Sequence, residues 1–288
     1  MNAPFRPVVR WHGGKSRMAP WILQHFPPHR VYVEPFGGAA SVLLRKPAIA
    51  AECYNDLDGS IVNVFRVLRD PERAIELRRR LELTPFSRED FNDTYQPAVD
   101  DVDAARKTIM LSFMGHGTDS VTRSCRTGFR AAIAGGRYDS LPAQAWANYA
   151  STIPFFTRRL MGTVIERRDA TEILDRYDTP ATLFYVDPPY VMATRSSMAD
   201  GRAASHGYRH ELGDADHAQL LEALRGLAGM VVLSGYPSPL YDDALVDWPR
   251  FERAAMADGA RPRTEVLWLN PSAARGLAQG SLFEVGGR

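Results

Sequence analysis

The sequence predicts an α/β protein built on an open sheet, with its candidate site where strands end. Residues 183–186 form an apolar run rich in aromatic and β-branched side chains that stops at Asp187-Pro188-Pro189-Tyr190. Such a run reads as a buried strand, and two prolines that cannot donate to a ladder end its pairing there. Val31-Tyr32-Val33-Glu34 runs into Pro35-Phe36-Gly37-Gly38-Ala39-Ala40-Ser41 and a further apolar segment, which reads as strand, glycine turn and helix. Helical spacings, such as Ile61, Val64, Phe65 and Leu68, stand between the strand-like runs. Asp187 is thereby left at the carboxyl end of a strand, where open α/β sheets place their ligands.

Taken in order, Trp11-His12-Gly13-Gly14-Lys15-Ser16 superficially looks like a phosphate-binding loop. That motif needs a glycine five positions before Gly14, where Val9 stands, and a strong strand ahead of it, so nucleoside triphosphate hydrolysis is disfavoured. Gly13 and Gly14 still allow close backbone approach to a ligand, with Lys15 as a cation; the plain alternative is a turn before a helix at residues 18–25. The turn at residues 35–41 can admit a cofactor to the sheet edge through backbone N–H groups and small side chains. It lacks the G-x-G-x-x-G spacing, which argues against a nicotinamide dinucleotide. A second strand at residues 50–54 ends in Asn55-Asp56, and an acid in that place is suited to a ribose diol.

The helix at residues 58–69 breaks at Asp70-Pro71, and residues 71–155 change character, with more arginine and no clear parallel-strand pattern. Two or three helices are expected there, among them 104–114 and one from Pro142 onward, with a polar hairpin or loop at residues 118–130. Residues 104–137 carry Arg106, Lys107, Arg123, Arg126, Arg130 and Arg137 against the single acid Asp119. This local basic patch, with Phe129 and Tyr138 close in sequence, suits nucleic acid; a solvated loop is the plain alternative. A strand at residues 163–166 precedes Asp169, a candidate acceptor for an adenine amino group, and a short helix follows at 171–174. The long polar connection 191–213 contains His206 and His210, which read as solvated rather than metal-binding. Helices at 214–225 and 238–245, a strand at 230–234 and two closing strands at 250–254 and 264–269 complete the chain.

A carboxylate beside a rigid proline carbonyl can accept both hydrogens of one planar amino group while an aromatic ring stacks on its heterocycle. Asp187, Pro188, Pro189 and Tyr190 therefore describe a site for the exocyclic amine of a nucleobase. An ordinary Pro-Pro turn with a solvated aspartate explains those four residues equally well.

The 288 residues allow one large domain or a core with an insertion, and 45% hydrophobic content is enough for a sizeable core. A net charge of +1 means that any polyanion-binding surface must be local. Cys53 and Cys125 show no metal-ligand spacing and fit a reducing, cytoplasmic setting; residues 1–9 lack the apolar core of a signal peptide, and no apolar run approaches membrane-spanning length.

Trp11-His12-Gly13-Gly14-Lys15, Val33-Glu34-Pro35-Phe36-Gly37-Gly38-Ala39-Ala40-Ser41 and Asp187-Pro188-Pro189-Tyr190 together resemble the motifs of Dam-type (D12 class) DNA adenine-N6 methyltransferases, in that family's order and over nearly the whole chain. The resemblance implies a Rossmann-like class I methyltransferase sheet, seven-stranded and mostly parallel, with an inserted, mainly helical target-recognition domain carrying a basic hairpin. It divides the chain into a first methyltransferase part (1–70), the insertion (71–155) and a second methyltransferase part (156–288). It implies S-adenosylmethionine as cofactor, double-stranded DNA as partner, DNA methylation of the kind used in restriction–modification, no metal, no membrane, and a monomer with a weak dimer as the alternative. Cofactor roles carry over onto Trp11, Lys15, Asp56 and Asp187, and the neighbouring Gly14, Glu34, Pro35, Phe36, Gly37, Gly38 and Ala39 go with them, as does Asp169. Arg123, Arg126, Gly128 and Arg130 are the expected DNA contacts, Gly128 allowing a tight turn. Two departures stand out: Ala40 replaces a frequent second glycine, and residues 120–130 lack the asparagines associated with readers of GATC. Methylation of RNA or of cytosine N4, and a DNA-binding protein that has lost catalysis, are the competing readings.

Overall fold

Short runs of β-branched and aromatic residues, each closed by glycine, proline or a carboxylate, form seven strands: β1 Val31–Glu34, β2 Ala51–Asn55, β3 Thr163–Glu166, β4 Thr182–Val186, β5 Met230–Gly235, β6 Arg250–Met256 and β7 Pro262–Leu269. The computed structural model describes residues 7–122, 125–131, 141–194, 208–256 and 262–285. The strands make one sheet in the order β3-β2-β1-β4-β5-β7-β6. The first five run parallel, whereas β7 is antiparallel to both of its neighbours. Every residue of β4 and β5 is buried, as central parallel strands covered on both faces should be. This is the α/β, seven-stranded and mostly parallel sheet that the sequence predicts.

Alternate residues of each strand point to opposite faces, and each face has its own core. On one face Tyr32, Tyr54 and Leu183 join Phe65 of α2 (Gly59–Arg69), Leu77 of α3 (Pro71–Glu82), Ile109 of α5 (Asp101–Met114), Trp146 of α6 (Pro142–Ala147) and Phe156 of α7 (Ile153–Leu160). On the other, Val33, Phe184 and Val231 meet Ile173 of α8 (Ala170–Tyr177), Leu221 of α9 (Asp214–Gly226) and Tyr241 of α10 (Pro239–Ala244). Each large apolar side chain buried this way contributes about 1.5–3 kcal/mol. Helices α1 (Ala19–Leu23), α4 (Arg88–Asp93) and α11 (Pro271–Val285) complete the set among the described residues. The first cluster includes Leu77, Phe91, Ile109 and Trp146, so described helices of residues 71–155 pack on the same core as the sheet.

One local expectation changes and one boundary holds. The apolar segment after the glycine turn is a run of turns rather than a helix, held by Leu44 N to Ala40 O (3.0 Å) and Lys46 N to Val42 O (2.9 Å). Pro47 has no N–H to continue the ladder, so it stops there. Asp70-Pro71 does end α2, but α3 begins at once, because the Asp70 carboxylate caps Glu72 N and Arg73 N and proline suits a first turn. No helix among the described residues is long and apolar enough to cross a membrane.

From β1 the chain builds outward through β2 to β3, then returns to lay β4 on the other side of β1 and β5 beyond it. Strand order therefore reverses between β1 and β4, which pair from Val31↔Thr182 to Val33↔Phe184. Open sheets bind ligands in the crevice at the carboxyl ends of such a pair.

Candidate active site

A cavity of about 700 Å³ lies over those ends, within the range typical of small-molecule sites. The glycine loop leaving β1 forms its floor. Gly37 N donates to Asn55 O at 2.7 Å, and a Cβ on Gly37 would overlap the Tyr54 ring. Gly38 has φ +47°, and a Cβ there would stand 2.7 Å from Trp11 Nε1. Asp56, at the end of β2, accepts from Gly38 N and Asp58 N, both at 2.8 Å, so its carboxylate braces the loop while lining the cavity. Asn55 Nδ2 ties Pro35 O (2.8 Å) to Arg168 O (3.0 Å), joining the ends of β1, β2 and β3.

Lys15 stands at the rim between this cavity and a neighbouring groove of about 650 Å³ that Tyr190 lines. Its Nζ lies 3.0 Å from Asp187 Oδ1, 3.5 Å from Glu265 Oε1, and donates to Gly13 O at 2.9 Å. It is also 4.6 Å from the centroid of the Tyr190 ring. The contact with Asp187 is a close ion pair, with both side chains largely out of solvent. Tyr190 Oη donates to Glu265 and lies 3.1 Å from Ser234 Oγ, which itself donates to Glu265 at 2.9 Å. Tyr236 packs edge-on against the Tyr190 ring, with centroids 4.6 Å apart.

Burial sets the electrostatics. It pushes the Asp187 carboxyl up to about 6, against the pull of Lys15, with Glu265 adding to the rise. Burial likewise raises Asp56 to about 6 and Glu34 to about 8, although Glu34 accepts from Tyr32 Oη at 2.6 Å and Leu43 N at 2.7 Å. Burial alone would lower Lys15, but Asp187 and Glu265 outweigh it and hold the ammonium above its ordinary value. Three poorly solvated carboxyls around one cavity favour a ligand that brings positive charge and hydrogen-bond donors.

Residues 11–247 match the family model of the D12 class N6 adenine-specific DNA methyltransferases. The chain belongs to this family. It is 25% identical over 203 residues to a DNA adenine methylase of Serratia marcescens, covering 64% of this chain and 67% of that one. It is 22% identical over 264 residues to the DNA adenine methylase of Vibrio cholerae, covering 88% and 91%. A type II methyltransferase of Lactococcus lactis subsp. cremoris is 35% identical over 94 residues, a match spanning 31% of this chain and 30% of the relative.

In this D12 methyltransferase, Trp11, Gly14, Lys15, Glu34, Pro35, Phe36, Gly37, Gly38, Ala39, Asp56, Asp169 and Asp187 all line the cavity. Pro189 lines it too, Pro188 is buried behind it, and Tyr190 faces the groove instead. Asp169 also has a local task, accepting from Thr171 N at 2.8 Å as the N-cap of α8. Sequence reasoning missed Glu265, Ser234 and Tyr236 around Tyr190, and Thr122 and Tyr208 on the cavity wall. A lone acid in the apolar run of β7 was the available signal for Glu265, which is only 4% exposed.

The expected DNA segment is only partly hairpin-like. Gly115 and Phe129 form an antiparallel bridge, and His116 N donates to Gly128 O at 2.8 Å. Residues 119–122, read as polar loop, are buried. Arg126 is exposed and lies over the Tyr95 ring, Arg130 is half-buried, and Arg123 falls outside the described residues. The left-handed backbone of this stretch falls at Gly117, with φ +94°, rather than at Gly128. Among the described residues no group of three or more His, Cys, Asp or Glu side chains could hold a metal.

Proposed function

We propose that this protein methylates N6 of an adenine swung out of duplex DNA, with S-adenosylmethionine as methyl donor. The supporting observation is the position of Asp187, on the cavity wall and paired with the lysine that divides cavity from groove. The donor set fits the cofactor: Glu34, Asp56 and Asp187 favour a cationic ligand with hydroxyl and amino donors, and Phe36 and Trp11 offer apolar faces to a purine. When bound, S-adenosylmethionine supplies a methyl group already activated by its sulfonium.

The chain's own residues act on the amine. The N6 lone pair of adenine is delocalised into the ring, which makes it a poor nucleophile. The Asp187 carboxylate and Pro188 carbonyl accept its two hydrogens, favour a more tetrahedral nitrogen and disperse the positive charge that develops there. Within a duplex this amine is out of reach, so the adenine leaves the stack and enters the groove beside Tyr190. Stacking on that ring offsets about 1–3 kcal/mol of the stacking lost. Lys15 opposes the rise that burial imposes on the Asp187 carboxyl and so favours its ionised form, and Glu265 and Ser234 fix the Tyr190 ring. The enzyme acts as a cytoplasmic monomer, and Arg126 and Arg130 contribute to target recognition.

The test is to incubate the purified protein with S-adenosylmethionine and DNA free of modified bases, then digest the product to nucleosides. N6-methyldeoxyadenosine is expected, and sequencing the modified DNA gives the target site. N4-methylcytosine, or methylation of RNA alone, would overturn the assignment.

A further inference from the structure

The groove that Tyr190 lines carries more charge than the chemistry uses. Arg10, Arg17, Arg253 and Arg263 stand on its walls with Tyr190 and Tyr236. Among the described residues its one acid is Glu265, which is buried and engaged by Lys15, Tyr190 and Ser234. Some exposed arginines elsewhere are neutralised within the protein, as in Arg78–Glu82 and Arg225–Asp247, whereas others, such as Arg66, Arg158 and Arg176, stand singly rather than gathered at one groove. Within β6, Arg250 pairs with Asp242 and Glu252, whereas Arg253, opposite Glu265 in the ladder, makes no ion pair among the described residues and stands 5.9 Å from the centroid of the Trp21 ring. Among the described residues, Arg17, Arg253 and Arg263 form no ion pair with a carboxylate. These cations come from two distant stretches, the turn before α1 and the β6–β7 pair, yet meet at one groove continuous with Lys15 and Tyr190. In a chain of net charge +1, uncompensated cations gathered beside the reacting residues mark a surface for a polyanion.

We propose that the β6–β7 pair, together with Arg17, is a DNA-docking element that holds backbone phosphates of the strand presenting the target base. This rests on the reading of the protein as a DNA methyltransferase. It adds a second contact surface to the one expected around Arg126 and Arg130. The role is positional, because arginine on phosphate fixes the register of the duplex without reading its sequence.

The experiment compares wild type, the double variant Arg253→Ala/Arg263→Ala, and Arg253→Lys/Arg263→Lys. Each is titrated with a short mixed-sequence DNA duplex across a salt series, assayed for methylation of unmodified genomic DNA, and titrated with S-adenosylmethionine alone. Both arginines lie outside the core, so the alanine pair should fold, and unchanged cofactor affinity would confirm that it has. The alanine variant should bind DNA about tenfold more weakly, with a matching rise in KM for DNA, and its salt slope should fall by about two, one per lost phosphate contact. The lysine variant should recover the slope. An alanine variant with the wild-type slope and KM, while wild type methylates DNA, overturns this proposal alone. So does a variant that keeps the slope but relaxes sequence choice, since that is base readout. A wild type that neither binds nor methylates DNA overturns the functional reading together with it.

Discussion

Lys15 lies between Asp187 and Glu265, and that placement gives each carboxylate a different task. Asp187 faces the cavity and keeps acceptor capacity, whereas Glu265 is enclosed by Lys15, Tyr190 and Ser234. Replacing Asp187 by Asn removes the anion and presents a donor where an acceptor is needed. Single-turnover methylation should fall about 10²–10³-fold, the scale for loss of one preorganised charge-stabilising group. Undiminished turnover would remove Asp187 from the chemistry. At Tyr190 the structure changes what the sequence leads one to expect. From sequence alone the ring is given a role, as a stacking surface, and the hydroxyl none, yet the hydroxyl donates to buried Glu265. Tyr190→Phe takes a donor from that carboxylate, which costs about 1–3 kcal/mol, so the enzyme should lose part of its stability and turn over more slowly. Tyr190→Ala loses the ring as well and should be worse in kcat and in KM for DNA. A Phe variant as damaged as Ala would sink the stacking role.

The glycine loop between β1 and β2 shows how far an element can be read from residue types. Gly38 has to be glycine on two counts: a left-handed backbone, which costs another residue about 1–2 kcal/mol, and Trp11 standing where a Cβ would go. Gly38→Ala should therefore lower stability by at least that amount in urea denaturation and weaken S-adenosylmethionine binding, because Trp11 must move. Wild-type behaviour in both would mean the loop does not shape the site. Ala40 stands where a second glycine is frequent in the family, and the structure shows why glycine suits it: φ is +51°. Ala40→Gly would relieve about 1–2 kcal/mol of backbone strain. It would also give up about 0.8 kcal/mol of buried methyl and about 0.4–1 kcal/mol through a freer unfolded chain. The contributions nearly cancel, so stability should change by less than about 1 kcal/mol, and a larger loss would show that the Ala40 methyl packs better than this count allows.

Across the whole molecule, what was legible in the sequence is what local periodicity specifies. The seven strands, the helix spacing of α2 and α9, and the carboxylates at the ends of β2 and β4 follow from residue order alone. What was illegible depends on partners far along the chain. Glu265 becomes part of the site only because β7 lies beside β5, which brings it to Tyr190 75 positions earlier. The helix expected after the glycine turn fails at Pro47, and Asp169 is drawn into capping α8. The surplus of positive charge at the groove is likewise visible only once it is known which arginines find carboxylates. Another collective property is the charge state of the cavity. Asp56 and Asp187 are raised to about 6 and Glu34 to about 8, with burial the main cause for each, while Lys15 is held protonated. Near pH 6, then, the two aspartates are partly neutral in the free protein. A cationic ligand binds their ionised forms more strongly, so it lowers both values and releases protons on binding. By linkage its affinity must rise with pH through that window, by at most about tenfold per pH unit for each proton released. The dissociation constant of S-adenosylmethionine should therefore fall as pH rises from about 5 to about 8, steeply near 6 and more gently above. Asp56→Asn should make the curve shallower. Calorimetric titration in buffers of different ionisation enthalpy measures the released protons directly. A constant that stays flat across the range would show that these carboxyls are already ionised before the ligand arrives.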